Sequence, residues 1–148
     1  MTEVIFHFHV ADKSGHLCRY ARKAVAHARR VAVVAGPELL QRVDRDMWEF
    51  SATEFLAHCS ADAAPAMQAV SPVVLCDAAA RSPHKDILVN LGFDVPEGFG
   101  QFTRLVELVG GDEEDRQASR RRWKFYRDRG YTLSGVDMLI QAARGAAS

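Results

Sequence analysis

The stretch VAVVAGPELL, Val31 to Leu40, places five consecutive apolar residues ahead of a Gly-Pro pair. An unbroken apolar run of this length is expected of a strand buried on both faces, the situation of an interior parallel strand. Gly36 ends it, and Pro37 sits where a proline is tolerated, in the first turn of a helix that runs to about Trp48. The unit is therefore strand, tight turn, helix.

The same unit recurs on either side. Upstream, Val4 to Val10 is rich in β-formers, with Phe6 and Phe8 expected on one face and His7 and His9 on the other. A helix from about His16 to Arg29 follows, with Ser14 as its expected cap and Leu17, Tyr20, Ala21, Ala24 and Ala28 as its apolar stripe. Downstream, Glu54 to His58 is a candidate short strand, and Ser60 to Ala69 a loop or weak helix that Ser71-Pro72 ends. Val73 to Cys76, Ile87 to Leu91 and Thr103 to Val109 are further strands. The final strong helix spans about Glu113 to Arg129, with Gly130 placed to close it in the left-handed conformation. Val136 to Ala143 is expected to form a short terminal helix. Alternation of buried strands with helices predicts a single three-layer α/β/α domain around a mostly parallel sheet. The core is expected over about 3–133, with an apolar extension over 134–148.

Composition narrows the function. Lysine plus arginine balances aspartate plus glutamate at 19 each, so the chain as a whole is not steered toward nucleic acid and any electrostatic role is local. Cys18, Cys59 and Cys76 are odd in number and set in apolar surroundings, as suits free thiols in a reducing cytoplasm. MTEVIFHFHV has no basic region ahead of its apolar run and reads as a first strand, not a signal peptide. No stretch approaches the length of a membrane span. A cytoplasmic protein is expected.

Catalytic signatures are thin. The loop after the first strand, Ala11-Asp12-Lys13-Ser14-Gly15, has one glycine and no phosphate-wrapping GxxxxGK[ST] pattern, so the fold is expected to be Rossmann-like without a nucleotide site. Six histidines are dispersed with no CxxC or HExxH spacing, and no metal or other cofactor is expected. His58 and Cys59 would point to opposite faces of a strand and cannot act as a base and nucleophile pair.

Two clusters stand out. In RQASRRRWKFYRDR, residues Arg116 to Arg129, a helical projection places Arg116, Arg120, Trp123, Lys124 and Arg127 within about a third of the circumference. Ala118, Phe125 and Tyr126 lie elsewhere and can face the core. A tryptophan inside a basic stripe suits a solvated face on which arginine stems cover the indole. It equally suits an aromatic anchor ringed by cations, for an acidic peptide or a nucleic-acid strand. The second cluster, Met47-Trp48-Glu49-Phe50 with Phe55 and Leu56, is consistent with core and with an interface anchor.

Four motifs in this order resemble the chi subunit family of bacterial DNA polymerase III. They are VIFHFHVADK (4–13), VAVVAGPELLQRVDRDMWEFSATEFLAH (31–58), KDILVNL (85–91) and WKFYRDRGYTL (123–133). The family's Asp-x-x-Leu-Trp pattern is matched by Asp44 and Met47-Trp48, with methionine for leucine, followed by Phe55 and His58. The resemblance implies an accessory subunit that is not itself an enzyme. It implies a psi-subunit surface carried by Trp48 and Phe55, tethering the chain to the clamp loader. It also implies a site for the acidic C-terminal tail of single-stranded-DNA-binding protein, made by Arg116, Arg120, Trp123, Lys124 and Arg127. DNA would then be reached indirectly, through that protein. The competing expectation is direct binding of single-stranded nucleic acid by the same basic helix, which one exposed aromatic and a zero net charge oppose.

Overall fold

A computed structural model describes residues 1–50 and 56–140, with Phe50 described through its backbone only. Seven strands form one sheet: β1 (Glu3–Phe8), β2 (Val31–Val34), β3 (His58–Ser60), β4 (Val73–Cys76), β5 (Ile87–Asn90), β6 (Arg104–Leu108) and β7 (Thr132–Asp137). Their order is β3-β4-β2-β5-β6-β1-β7, and every pairing is parallel. The elements described also include helices α1 (Lys13–Ala26), α2 (Pro37–Phe50), α3 (Pro65–Val70) and α4 (Glu113–Asp128), with short 3-10 turns at Ala79–Arg81 and Phe99–Gln101.

The interior strands bury both faces, which is why their sequences are unbroken apolar runs. Val31 and Val33, Val73 and Leu75, and Ile87 and Val89 face Leu17, Cys18 and Ala21 of α1 and Val43 and Met47 of α2. The alternate residues Ala32, Val74, Leu88 and Leu105, with Val4 and Phe6, face Phe99, Phe102 and Tyr126 of α4. Helices on both faces of a parallel sheet make the expected three-layer α/β/α arrangement.

Four local expectations are corrected. Ser14 does not cap α1: the helix starts at Lys13, three residues before the expected His16, and Ser14 is buried inside its first turn. The third strand begins at His58 instead of ending there, pairing His58 to Ser60 with Val73 to Leu75; residues 51–55 lie outside the described residues. Val136 and Asp137 are not helical. They finish β7, which pairs along the whole of β1; helix is described from 138 to 140, and 141–143 lie outside the described residues. The expected shared face of His7 and His9 is lost because His9 adopts φ 58° and leaves the strand's alternation. His7 stays against α1, hydrogen-bonded to His16 at 2.8 Å.

The three cysteines are free thiols, with Cys18 and Cys76 buried and Cys59 half-buried. Among the described residues no helix is long and apolar enough to cross a membrane.

Candidate functional site

Helix α4 is fixed at its start, its middle and its end. Asp112 caps it by accepting from the Asp115 backbone N–H at 2.9 Å, and three acidic residues occupy its first turn, where the helix dipole favours them. The Asp115 carboxylate accepts from the Gly110 N–H at 2.7 Å and from Lys13 Nζ at 2.8 Å, tying α4 to α1. Gly130 closes the helix at φ 78°. In the middle, Arg122 reaches under the helix to the buried Glu107 of β6 at 3.1 Å and donates to the Phe93 carbonyl at 2.7 Å. Tyr126 also donates to Glu107, and Asn90 of β5 donates to its other oxygen at 2.8 Å. The face opposite this network is thereby held toward solvent.

That face carries Arg116, Arg120, Lys124 and Arg127, all exposed. Trp123 does not stand clear of the core as its place in the stripe suggested. It is half-buried, with its ring 5.1 Å from Phe6 and 6.0 Å from Phe8. The reason is angular: Trp123 lies only about 60° round the helix from Tyr126, so it borders the buried stripe. Phe8, at the end of β1, and Trp123 form one wall of an open cleft of about 430 Å³, rimmed by Arg120, Lys124 and Arg127.

A smaller cleft of about 240 Å³ adjoins it through Phe8, Ser119 and Arg120, and adds Arg116, His9 and Asp137. Here His9 Nδ1 lies 3.0 Å from Asp137 Oδ1, and that hydrogen bond holds the Asp137 carboxyl below the usual carboxylate range. Glu113 lies 3.6 Å from Arg116 and 3.7 Å from Arg120, a loose pairing that leaves both guanidiniums able to meet another anion. All five residues singled out on this helix therefore border one continuous groove. Phe8, His9 and Asp137 belong to it as well. Sequence pattern missed them because their side chains come from strand ends far away along the chain.

The second cluster sits across the sheet. Trp48, on the last turns of α2, is 56% exposed, while its neighbour Met47 is fully buried. Its ring lies 5.1 Å from that of His58, and His58 Nε2 is 2.9 Å from Asp44 Oδ1. Asp44, Trp48 and His58 thus make one contact cluster that holds the indole at the surface. Phe55 lies outside the described residues. Edge strands β3 and β7 bracket a seven-stranded sheet, so the two clusters stand roughly 30 Å apart.

Residues 1–134 match the family model described as DNA polymerase III chi subunit, HolC. The chain belongs to that chi subunit family. It is 33% identical to the DNA polymerase III subunit chi of Pseudomonas aeruginosa over 138 residues, which is 90% of this chain and 94% of that one. It is 28% identical to the subunit chi of Escherichia coli over 120 residues, 80% of each chain. A third chi subunit, from Haemophilus influenzae, is 27% identical over 93 residues, 62% of this chain and 63% of that one. The chi match ends at residue 134, inside β7, and so takes in α4, α2 and most of the groove. Among the described residues no group of three or more His, Cys, Asp or Glu is placed to hold a metal ion. Of the Ala11–Gly15 segment, Lys13 to Gly15 lie in the first turn of α1, and Lys13 Nζ, already paired with Asp115, also donates to the Leu91 carbonyl at 2.9 Å.

Proposed function

We propose that this chi-family chain is a non-catalytic connector of the replication machinery. Its α4 groove takes the acidic C-terminal tail of single-stranded-DNA-binding protein, and its Trp48 surface, with Phe55, takes a psi subunit of the clamp loader. Through that groove DNA is reached indirectly. The observation that carries the reading is the Trp123–Phe8 wall rimmed by Arg120, Lys124 and Arg127. A peptide ending in a hydrophobic residue and a free carboxylate needs an apolar wall and a cation within reach of each other. Arg120 offers the planar, two-pronged donor set that suits a carboxylate, and Lys124 a mobile point charge. Arg116 and Arg127 flank them and attract acidic residues further up the tail. Separation of the groove from Trp48 by the width of the sheet supports a connector, because both surfaces can be filled at once.

Fluorescence titration with a labelled acidic tail peptide, as free acid and as C-terminal amide, tests the groove. The free acid is expected to bind far more tightly. Equal affinity of the two forms rules out a carboxylate site at Arg120 and Lys124.

A further inference from the structure

The segment Lys13 to Arg30, KSGHLCRYARKAVAHARR, contains six lysines and arginines and no acidic residue, in a chain whose net charge is zero. It forms α1 and the turn after it, on the sheet face opposite α4. Arg19, Lys23 and His27 repeat every four residues, about 6 Å apart along the helix, and all three are exposed. His27 turns its Nδ1 back onto the Lys23 carbonyl at 2.8 Å, so Nε2 is its remaining polar atom.

Beside this row the fold leaves a cleft of about 470 Å³ between α1 and the amino-terminal ends of β5 and β6. Lys23, His27, Arg29 and Arg104 border it, and the half-buried Tyr20 and Ala24 supply its less polar lining. Its two nearby carboxylates are already committed. Asp86 takes the Arg29 guanidinium through both oxygens at 2.9 Å, and Glu3 lies 3.2 Å from Arg104. Each pair fixes a guanidinium at the rim, while Arg19 and Lys23 have no ion-pair partner among the described residues.

We infer that this α1 cleft is a second anionic-ligand surface and that its occupant is the phosphate backbone of a single-stranded nucleic acid. Cations one helical turn apart beside an aromatic ring are what a flexible strand uses, its phosphates on the cations and its bases or sugars on the less polar lining. A double helix is too wide to enter such a cleft. An acidic peptide would find the cations but would gain little from Tyr20 and Ala24. The surface is independent of the tail groove: it lies on the other face of the sheet and at the other end of the strands.

The test is fluorescence anisotropy of the full chain with a labelled oligothymidine of about 20 nucleotides, over a salt series from low ionic strength upward. Arg19→Glu/Lys23→Glu changes only exposed side chains. It is expected to weaken strand binding at least tenfold and to flatten the log–log salt dependence by about 1.4, roughly 0.7 for each phosphate no longer neutralised. The same variant is expected to bind the acidic tail peptide as the parent does, which separates failure of this surface from failure of the α4 groove. Three outcomes overturn the inference: no strand binding at the lowest salt, loss with Arg120→Glu but not with the α1 variant, or displacement of the strand by a polyglutamate peptide at equal charge.

Discussion

Arg122 on α4 and Glu107 on β6 face each other at 3.1 Å with side chains 2% and 0% exposed. The pair is the point at which the basic helix is locked to the sheet. A buried ion pair adds little net stability against apolar residues of equal size, but removing one partner leaves a bare charge in the core. Arg122→Met is therefore expected to cost about 3–5 kcal/mol. Arg122→Met with Glu107→Gln is expected to cost less than the two single changes added together, because they share one network. Urea denaturation of the three variants measures this. If Arg122→Met melts like the exposed control Arg121→Met, the pair does not hold the helix.

The histidine pair under α1 makes stability depend on pH. Burial pushes the His7 imidazole down to about 4, with His16 adding to the shift, and burial lowers His16 as well. A base whose folded pKa lies below its unfolded value takes up protons on unfolding. Stability is then complete above about 6.5 and falls as pH drops toward 4. Each such proton contributes a slope of at most about 1.4 kcal/mol per pH unit. His7→Gln is expected to flatten the decline between about pH 6.5 and pH 4.5 in denaturant titrations; an unchanged slope would assign it to other groups.

Truncating Trp48, 56% exposed and braced by His58, is expected to spare the fold and weaken the complex with a psi subunit. Loss of an aromatic anchor costs about 2 kcal/mol or more, roughly thirtyfold in affinity. Calorimetric titration of Trp48→Ala with the partner reads the effect, and circular dichroism checks the fold. An unchanged affinity would remove Trp48 from the interface.

The interior of the sheet was legible because strands buried on both faces must be apolar throughout, as Val31–Val34 and Ile87–Asn90 very nearly are. β7 was not. Thr132–Asp137 is an edge strand with serine and glycine at its centre, held by backbone pairing to β1, and leaves no hydrophobic alternation to read. Arg122 was hidden by residue type. It stands four residues from both Ala118 and Tyr126, the spacing of the buried stripe, yet an arginine inside an Arg-Arg-Arg run is ordinarily solvated. The cations of the groove could be grouped from helical spacing alone. Its other wall could not, since Phe8, His9 and Asp137 arrive through the parallel pairing of β1 with β7.

That pairing exposes a way to reshape the groove without touching a charge. Gly135 of β7 lies opposite Phe6 in register, and a methyl group added there would come within 2.7 Å of Cε2 of Phe8 and 3.5 Å of Cζ3 of Trp123. The first distance is shorter than carbon atoms tolerate, so the Phe8 ring must move, and with it the wall it forms with Trp123. Gly135→Ala is therefore expected to weaken the acidic tail peptide through the apolar part of the groove. Its salt dependence is expected to match that of the parent chain, since Arg116, Arg120, Lys124 and Arg127 are untouched. Arg120→Glu is expected to do the reverse, weakening binding and flattening its response to salt. Peptide titrations of both variants across a salt series separate the two contributions. A Gly135→Ala chain that stays folded and binds the peptide with parental affinity would show that Phe8 is not part of the binding wall.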